Sequence, residues 1–519
     1  MIGTQAQSAC PFICRTPPVA FEQRYPVDMA WQILRNNHAK IVQLSDVITE
    51  LDDPGETGNM QKTGIVMAAI AAIGCCAPFS TTNAADLGGN CCADLEERIA
   101  ELEATTARKG NRKVSLAVTG WVSNILTWWD DGTEDNVYQT GPGTTLGSNV
   151  TFTGQAQISP GWSAGYVLQI EIDPNDPFFT DQNTPNGVFS PGLPSFATGV
   201  TALQTYWFIK NDQLGKVSVG KISPYSDNVT IIGVDGSGLG SIFAANSPNF
   251  GDFRNFFLRR NGQFIAGPAG NFRWDNMANC WQIADSGAGI SMDCTAAPAN
   301  AVRYDSPVWN GFSFGGSWIE DDMWDIGAHY TGQIGAFKLN VAGSYSINKD
   351  ASHIVPNSLF GGLIPVTKRD TSYFQIGAYL EHSPTGLFAY GTYGHEFIDS
   401  PNAATASPSG FELKDDDAFY LKFGARKQWF PIGHTVPYVE YQQTNDMLDF
   451  FALQAGATGS KLERWGVGVM QEIDAAAMSI WLAYKHYDGE ITGPAATCAT
   501  LCGDFDDFQR VEFGGLILF

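Results

Sequence analysis

The sequence predicts an all-β fold, a transmembrane antiparallel β-barrel of 16 strands with a short N-terminal helix or coiled-coil segment, and three observations carry it. The chain closes on Val511-Glu-Phe-Gly-Gly-Leu-Ile-Leu-Phe519, where bulky apolar and polar or small residues nearly alternate up to an aromatic carboxyl terminus. The same period of two runs backwards as far as Val114. Only 16% of the 519 residues are charged, beside 56 glycines and 12% aromatics, a composition that favours one large barrel over several soluble domains. A mean hydropathy of −0.11 and the lack of any uninterrupted apolar stretch of about 18 residues exclude a helical membrane protein. Barrels escape that test because only every second residue meets lipid.

The amino terminus carries a sorting signal. Met60-Gln-Lys62-Thr opens a short positive region, Ile65 to Ala77 is an apolar stretch of secretory length, and Thr82-Asn-Ala84 before Ala85 is a small-residue cleavage site. Residues 60–84 therefore read as a signal peptide, and residues 1–59 as an extension from a start codon taken too early. Residues 85–111 form a periplasmic helical segment. In it Leu95, Ile99 and Leu102 take coiled-coil spacing on a strongly charged helix. So short a helix would not hold alone, but three copies held close by a trimeric barrel could zip together; the alternative is a solvated helix. Residues 112–519 are the barrel, with a long third loop at 223–300.

Removing residues 1–84 takes away 5 of the 30 basic and 7 of the 54 acidic residues, leaving a formal charge of −22. Nucleic acid is excluded as a partner on that balance. Ten cysteines suggest an oxidising compartment. Cys280 with Cys294, and Cys498 with Cys502, sit in loop-like sequence and are predicted to form two local disulfides; no clustered histidines accompany them, so metal is not expected.

Each wall segment alternates in its own way. Val114, Leu116, Val118 and Val122 interleave with Ser115, Ala117, Thr119 and Ser123. Leu146, Val150, Phe152, Ala156 and Ile158 follow, then a Ser159-Pro-Gly161 turn, then Trp162, Ala164, Tyr166, Leu168, Ile170 and Ile172 against Ser163, Gln169, Glu171 and Asp173. Further strands fall at 200–211, 214–222, 300–309, 311–320, 323–332, 335–346, 371–382, 386–398, 416–429, 435–446, 461–473, 476–488 and 507–519; those at 200–211, 300–309 and 386–398 alternate poorly. Strands of a dozen residues suit a tilted membrane crossing better than a sandwich, whose strands average about six. Tight turns (159–161, 211–215, 310–311, 332–335, 383–386) alternate with long loops (130–144, 173–199, 347–370, 399–414, 489–506), as periplasmic and outer ends should. Trp128, Trp162, Trp207, Trp318, Trp324, Trp429 and Trp465 fall near predicted strand ends, where an interfacial girdle belongs.

The connection at 223–300 exceeds all others and carries Asp227, Asp235 and Asp252. Loops this long are usually functional. An inward fold would narrow a water-filled lumen midway; capping the outside or packing on a neighbour is the alternative. Mid-strand charges fall in the polar rank: Glu171, Asp325, Lys338, Glu381, Lys422, Arg426, Glu440, Arg464, Lys485, Arg510 and Glu512. A lipid-facing Lys or Arg at the midplane would cost about 2–4 kcal/mol, enough to segregate them. Asp227, Asp235 and Asp252 facing Lys422, Arg426, Arg464, Lys485 and Arg510 would set a transverse field across a constriction.

The string Asp94-Leu-Glu-Glu-Arg-Ile-Ala-Glu-Leu-Glu-Ala-Thr-Thr-Ala-Arg-Lys-Gly-Asn-Arg-Lys-Val-Ser-Leu116, with Gly120-Trp121 and Trp129-Asp-Asp-Gly132, resembles the start of alphaproteobacterial general porins. Asp212-Gln-Leu-Gly215, Arg303-Tyr-Asp305 and Ser317-Trp318 with Glu320-Asp-Asp322 are similar to later landmarks of that family. The resemblance covers Ala85 to Phe519 and departs around Cys280 to Cys294. It implies a homotrimeric 16-strand barrel, a constricting third loop and passive diffusion of small hydrophilic solutes and ions; outer-membrane lipid and, on the periplasmic side, nearby peptidoglycan are the other partners expected. The negative balance suggests a weak cation preference. No cofactor is implied.

Catalytic motifs are weak. Gly161-Trp-Ser163-Ala-Gly165 fits a nucleophile elbow by letters, but a strand rather than a helix follows it. Glycines 233–240 lack phosphate-loop and dinucleotide spacing. The readings set against a diffusion channel are an outer-membrane lipase- or protease-type enzyme and a secreted carbohydrate-binding β-protein.

Overall fold

A computed structural model describes residues 114–519, apart from 144–146, 233–254, 268–269, 283–293, 295–297, 321, 400–413, all but 175, 177 and 180–184 within 173–199, and all but 354–357 and 362–365 within 352–368. The predicted extension, signal peptide and the whole of the helical segment lie outside the described residues, as do Asp235 and Asp252. Sixteen strands form the wall: β1 Ala117–Asp130, β2 Ser148–Ser159, β3 Trp162–Ile172, β4 Val200–Asn211, β5 Gly215–Ile222, β6 Ala299–Asp305, β7 Phe312–Ile319, β8 Met323–Ile334, β9 Phe337–Ala351, β10 Arg369–His382, β11 Leu387–Asp399, β12 Asp416–Ala425, β13 Gly433–Asn445, β14 Gly459–Ile473, β15 Met478–Thr492 and β16 Phe508–Leu518. Every neighbour is antiparallel, and β16 pairs back onto β1 from Trp121↔Leu518 to Asp130↔Gln509. The sheet is a closed cylinder with no free edge. Phe519 finishes the seam, exchanging backbone hydrogen bonds with Gly120.

The two ranks of each strand separate as their chemistry requires. Along β3, Leu168, Ile170 and Ile172 are exposed while Gln169 and Glu171 are buried inside. In β12, Leu421 and Phe423 face outward and Lys422 inward. Asparagine and glycine make the tight turns: Asn310 (φ 50°) and Gly311 (φ 89°) supply the two consecutive left-handed residues a two-residue hairpin needs.

Three details differ from the sequence expectation. The stretch 130–144 is not irregular: Asp135–Thr140 pairs with the upper half of β1 and carries the wall beyond the end of β2. The third strand pair is shorter than expected, since β6 ends at Asp305, and β15 runs on to Thr492. Trp207 and Trp465 lie within their strands rather than at the ends, whereas Trp318 and Trp324 pair at one rim. Trp129 turns inward and is 1% exposed.

Trp129 belongs to an apolar cluster across the long-loop end. Phe256, Leu258, Trp274, Met277 and Trp281 of the third loop pack there with Tyr138, Leu453, Leu501, Phe505 and the inward-facing Tyr487 and Phe508. Both predicted disulfides, Cys280–Cys294 and Cys498–Cys502, are formed within it. Arginines clamp its rim. Arg259 pairs with Asp131 at 2.6 Å and with Glu134, and Arg260 donates to the carbonyls of Thr500, Leu501 and Asp504 at 2.8–3.1 Å. Burial pulls the Arg273 guanidinium of the same loop below its ordinary value, opposed by Asp181 and Asp275.

Candidate functional site

The first stretch of the third loop, 223–232, turns into the cylinder rather than over it. Its backbone is a run of tight turns, with Asp227 N donating to Pro224 O and Ile231 N to Asn228 O. It crosses the inner wall strand by strand. Tyr225 N donates to Ser317 Oγ of β7 at 2.7 Å, and Ser226 N and Oγ both donate to Asp325 Oδ2 of β8 at 2.8 and 2.6 Å. Gln375 of β10 donates to Ser226 O and accepts from Thr230 Oγ1, and the Tyr390 hydroxyl of β11 donates to Thr230 O at 2.6 Å.

The wall is shaped for this segment. A Cβ at Gly315 or Gly327 would stand 2.4 or 2.7 Å from the Tyr225 ring, so only glycine lets the ring lie flat on β7 and β8. Arg303 sits over that ring, 5.1 Å from its centroid, and donates to the carbonyls of Ser223 and Pro224. Burial raises the Tyr225 hydroxyl above its ordinary range, partly offset by Arg303.

Beside Tyr390 begins a row of charged residues. Cross-strand register runs Tyr390↔Lys422↔Glu440↔Gly466↔Lys485↔Arg510↔Trp129, one rank across β11 to β16 and onto β1. Arg464 and Glu512 lie one inward position away on β14 and β16. Lys422 is 3.1 Å and Arg464 3.6 Å from Glu440; Lys485 is 3.0 Å and Arg510 3.4 Å from Glu512. All six side chains are buried, and rings cover the cations: Lys422 lies 4.2 Å from the Tyr438 centroid and Arg510 5.6 Å from that of Tyr487. Charges this buried persist only when matched, which is the task of the two glutamates. Gly466 makes room, since a Cβ there would meet Glu440 Oε1 at 2.8 Å.

Lys422, Arg464, Lys485 and Arg510 are thus brought together, while Arg426 is not. Arg426 lies at the short-turn end, gripping Glu472 with two bonds of 3.0 and 2.8 Å. His434, Glu472 and Asp474 meet there in a spacing that could suit a metal ion, but Arg426 already supplies Glu472 with a cation. Asp227 faces a cavity of about 770 Å³ against β6 to β10 rather than the charged row. Sequence reasoning missed Tyr225, Ser226 and Thr230, which anchor the loop, and the inward glycines Gly315 and Gly327 were the available signal.

A model of the Gram-negative porin family matches residues 69–496, most of the chain. Solved structures similar to it include OmpT of Vibrio cholerae, an outer membrane protein, at 12% identity and a TM-score of 0.45, covering 80% of this chain and 100% of that one. Others are an anion-selective porin from Comamonas acidovorans, at 14% identity and 0.45 over 78% and 100%, and a triple mutant of the Rhodopseudomonas blastica porin, at 13% and 0.37 over 78% and 100%. No curated protein matches it in sequence. Assignment rests on the family model and on the closed 16-strand wall: the chain belongs to the Gram-negative porin family, channel-forming proteins of the bacterial outer membrane.

Proposed function

We propose that this porin works as a homotrimer and passes small hydrophilic solutes and ions by passive diffusion through a constriction bounded by 223–232 on one side and the β12–β16 charges on the other. One observation carries this reading: Tyr390 holds Thr230 of the inward segment and is also the cross-strand neighbour of Lys422. A carboxylate on one side and cations on the other give a field across the path, which favours polar solutes over apolar ones. The formal charge of −22 on the chain after residue 84, 25 basic against 47 acidic residues, supports a weak cation preference, with Asp227 as the loop residue that contributes to it. Asp235, Asp252 and Arg426 stay in the proposal as flanking charges. The proposal also keeps cleavage after Ala84, a helical segment at 85–111 on the periplasmic side near peptidoglycan, and the alphaproteobacterial branch of the family.

Channel activity alone, without catalysis, is part of the same proposal. Ser163 of the G-x-S-x-G string pairs in register with Gln157 and Lys210 inside the sheet, so the strand-turn-helix elbow is missing. Planar bilayers test the proposal. Purified protein should insert in conductance triplets, and the reversal potential in a salt gradient should show cation preference. Asp227→Lys should lower cation-to-anion permeability severalfold, and an unchanged ratio removes Asp227 from the path.

A further inference from the structure

We infer that the cavity of about 770 Å³ between 223–232 and the inner faces of β6 to β10 is a binding site for a neutral polyhydroxylated solute, a sugar of one or two rings. The inference rests on the channel reading above and names a solute class for it. Its size falls in the range of roughly 300–1,000 Å³ typical of small-molecule sites.

Charge around the cavity is balanced locally. Arg303 and Lys216 close on Asp305 at 2.7 and 3.2 Å, and Lys338 closes on Glu381 at 2.8 Å, leaving the lysines and arginine engaged within the wall. Asp227 brings these named groups to a formal sum of zero. A charged solute entering here would have to compete with standing ion pairs, whereas an uncharged one does not.

The two sides of the cavity differ in a way that suits a sugar ring. On the wall side, His329, Thr331 and Asn340 form one cluster, with Asn340 Oδ1 accepting from Thr331 Oγ1 at 3.1 Å and contacting His329 Nε2. Ser313 and Gln333 line the same side. Imidazole, hydroxyl and amide each bond more than one partner, and their mutual contacts fix their orientation before a solute arrives. On the loop side, Val229 and Ile231 present aliphatic surface. A pyranose offers hydroxyls around its edge and C–H groups on its faces, so edge and face each meet a matching surface.

The test uses the full-length channel in planar bilayers, with sucrose as the probe. Sucrose should interrupt the ion current in a saturable way. Thr331→Val with Asn340→Ala should raise the half-blocking concentration about tenfold while sugar-free conductance stays within the scatter of the parent. Gln333→Ala, near a turn and remote from the core of the wall, should weaken block less and covers the case in which the double variant fails to insert. A current that falls only in proportion to solution viscosity, without saturation, overturns the inference, as does equal block of the parent and both variants. Absence of any ion conductance strikes the channel reading instead.

Discussion

The two described stretches of the third loop, 223–232 and 255–282, leave the same barrel end and solve opposite problems. The inner one lies along a wall of polar residues. Its backbone donates to Ser317 and Asp325 and accepts from Gln375 and Tyr390, and one ring, Tyr225, is laid on two glycines. The outer one lies where loops meet loops. Phe256 and Leu258 are 0% exposed, Trp274 3% and Trp281 4%, and a disulfide and two arginine clamps close the edge. A lumen offers little apolar surface, so order there comes from satisfied polar groups; the mouth can bury apolar area and does. Of the arrangements the sequence left for this loop, folding inward describes the first stretch and capping the long-loop end describes the second.

That contrast breaks most readily at the mouth. Phe256 packs edge-on against Trp129 at 4.9 Å and against Phe508 at 5.1 Å. Phe256→Ala should cost the cap about 3–5 kcal/mol while the barrel remains folded. Trypsin has sites at Arg259, Arg260 and Arg273, and cleavage there follows the fraction of time the cap is open. Their cleavage in reconstituted membranes should quicken on the order of a hundredfold or more. An unchanged rate would mean that the disulfide and the arginine clamps hold the cap without the aromatic cluster.

A middle-sized effect belongs to the inner stretch. Gly327→Val places a branched side chain against the Tyr225 ring, which lies 2.7 Å from where a Cβ would stand, and overpacking of this kind costs about 1–3 kcal/mol. The segment should swing away from β8, changing single-channel conductance while trypsin resistance of the mouth stays as in the parent. Coupled loss of both properties would show that the two stretches behave as one unit.

Much of the wall could be read in the sequence because lipid and water impose a period of two on it. Leu168, Gln169, Ile170 and Glu171 declare their faces without any knowledge of their neighbours, and Asn310-Gly311 declares its turn. Lys422, Arg464, Lys485 and Arg510 were legible for the same reason, since lipid excludes them from the other rank. Their pairing with Glu440 and Glu512 depends on register across five strands, which periodicity does not specify. The mouth was illegible for a different reason. Arg259 meets Asp131 across 128 residues and Arg260 meets Thr500 across 240, and no local pattern announces contacts between loops so far apart. Asp135–Thr140 was hidden because it extends the wall beyond the zone where lipid enforces alternation.

The smallest expected effect isolates a single hydrogen bond. Tyr390 is 1% exposed, and its hydroxyl donates to Thr230 O at the point where the inward segment reaches the charged row. Tyr390→Phe keeps the ring and its edge contact with Tyr420 but removes the donor. A net loss of about 1 kcal/mol follows, equivalent to roughly a fivefold rise in the fraction of time Thr230 leaves the wall. Mean conductance should barely move, since Gln375 still holds Ser226 and Thr230 through its amide. Open-channel current noise should increase if the segment edges the ion path as proposed. Noise identical to the parent would place the mobile boundary of the path elsewhere, and with it the claim that Tyr390 ties the loop to the charged wall.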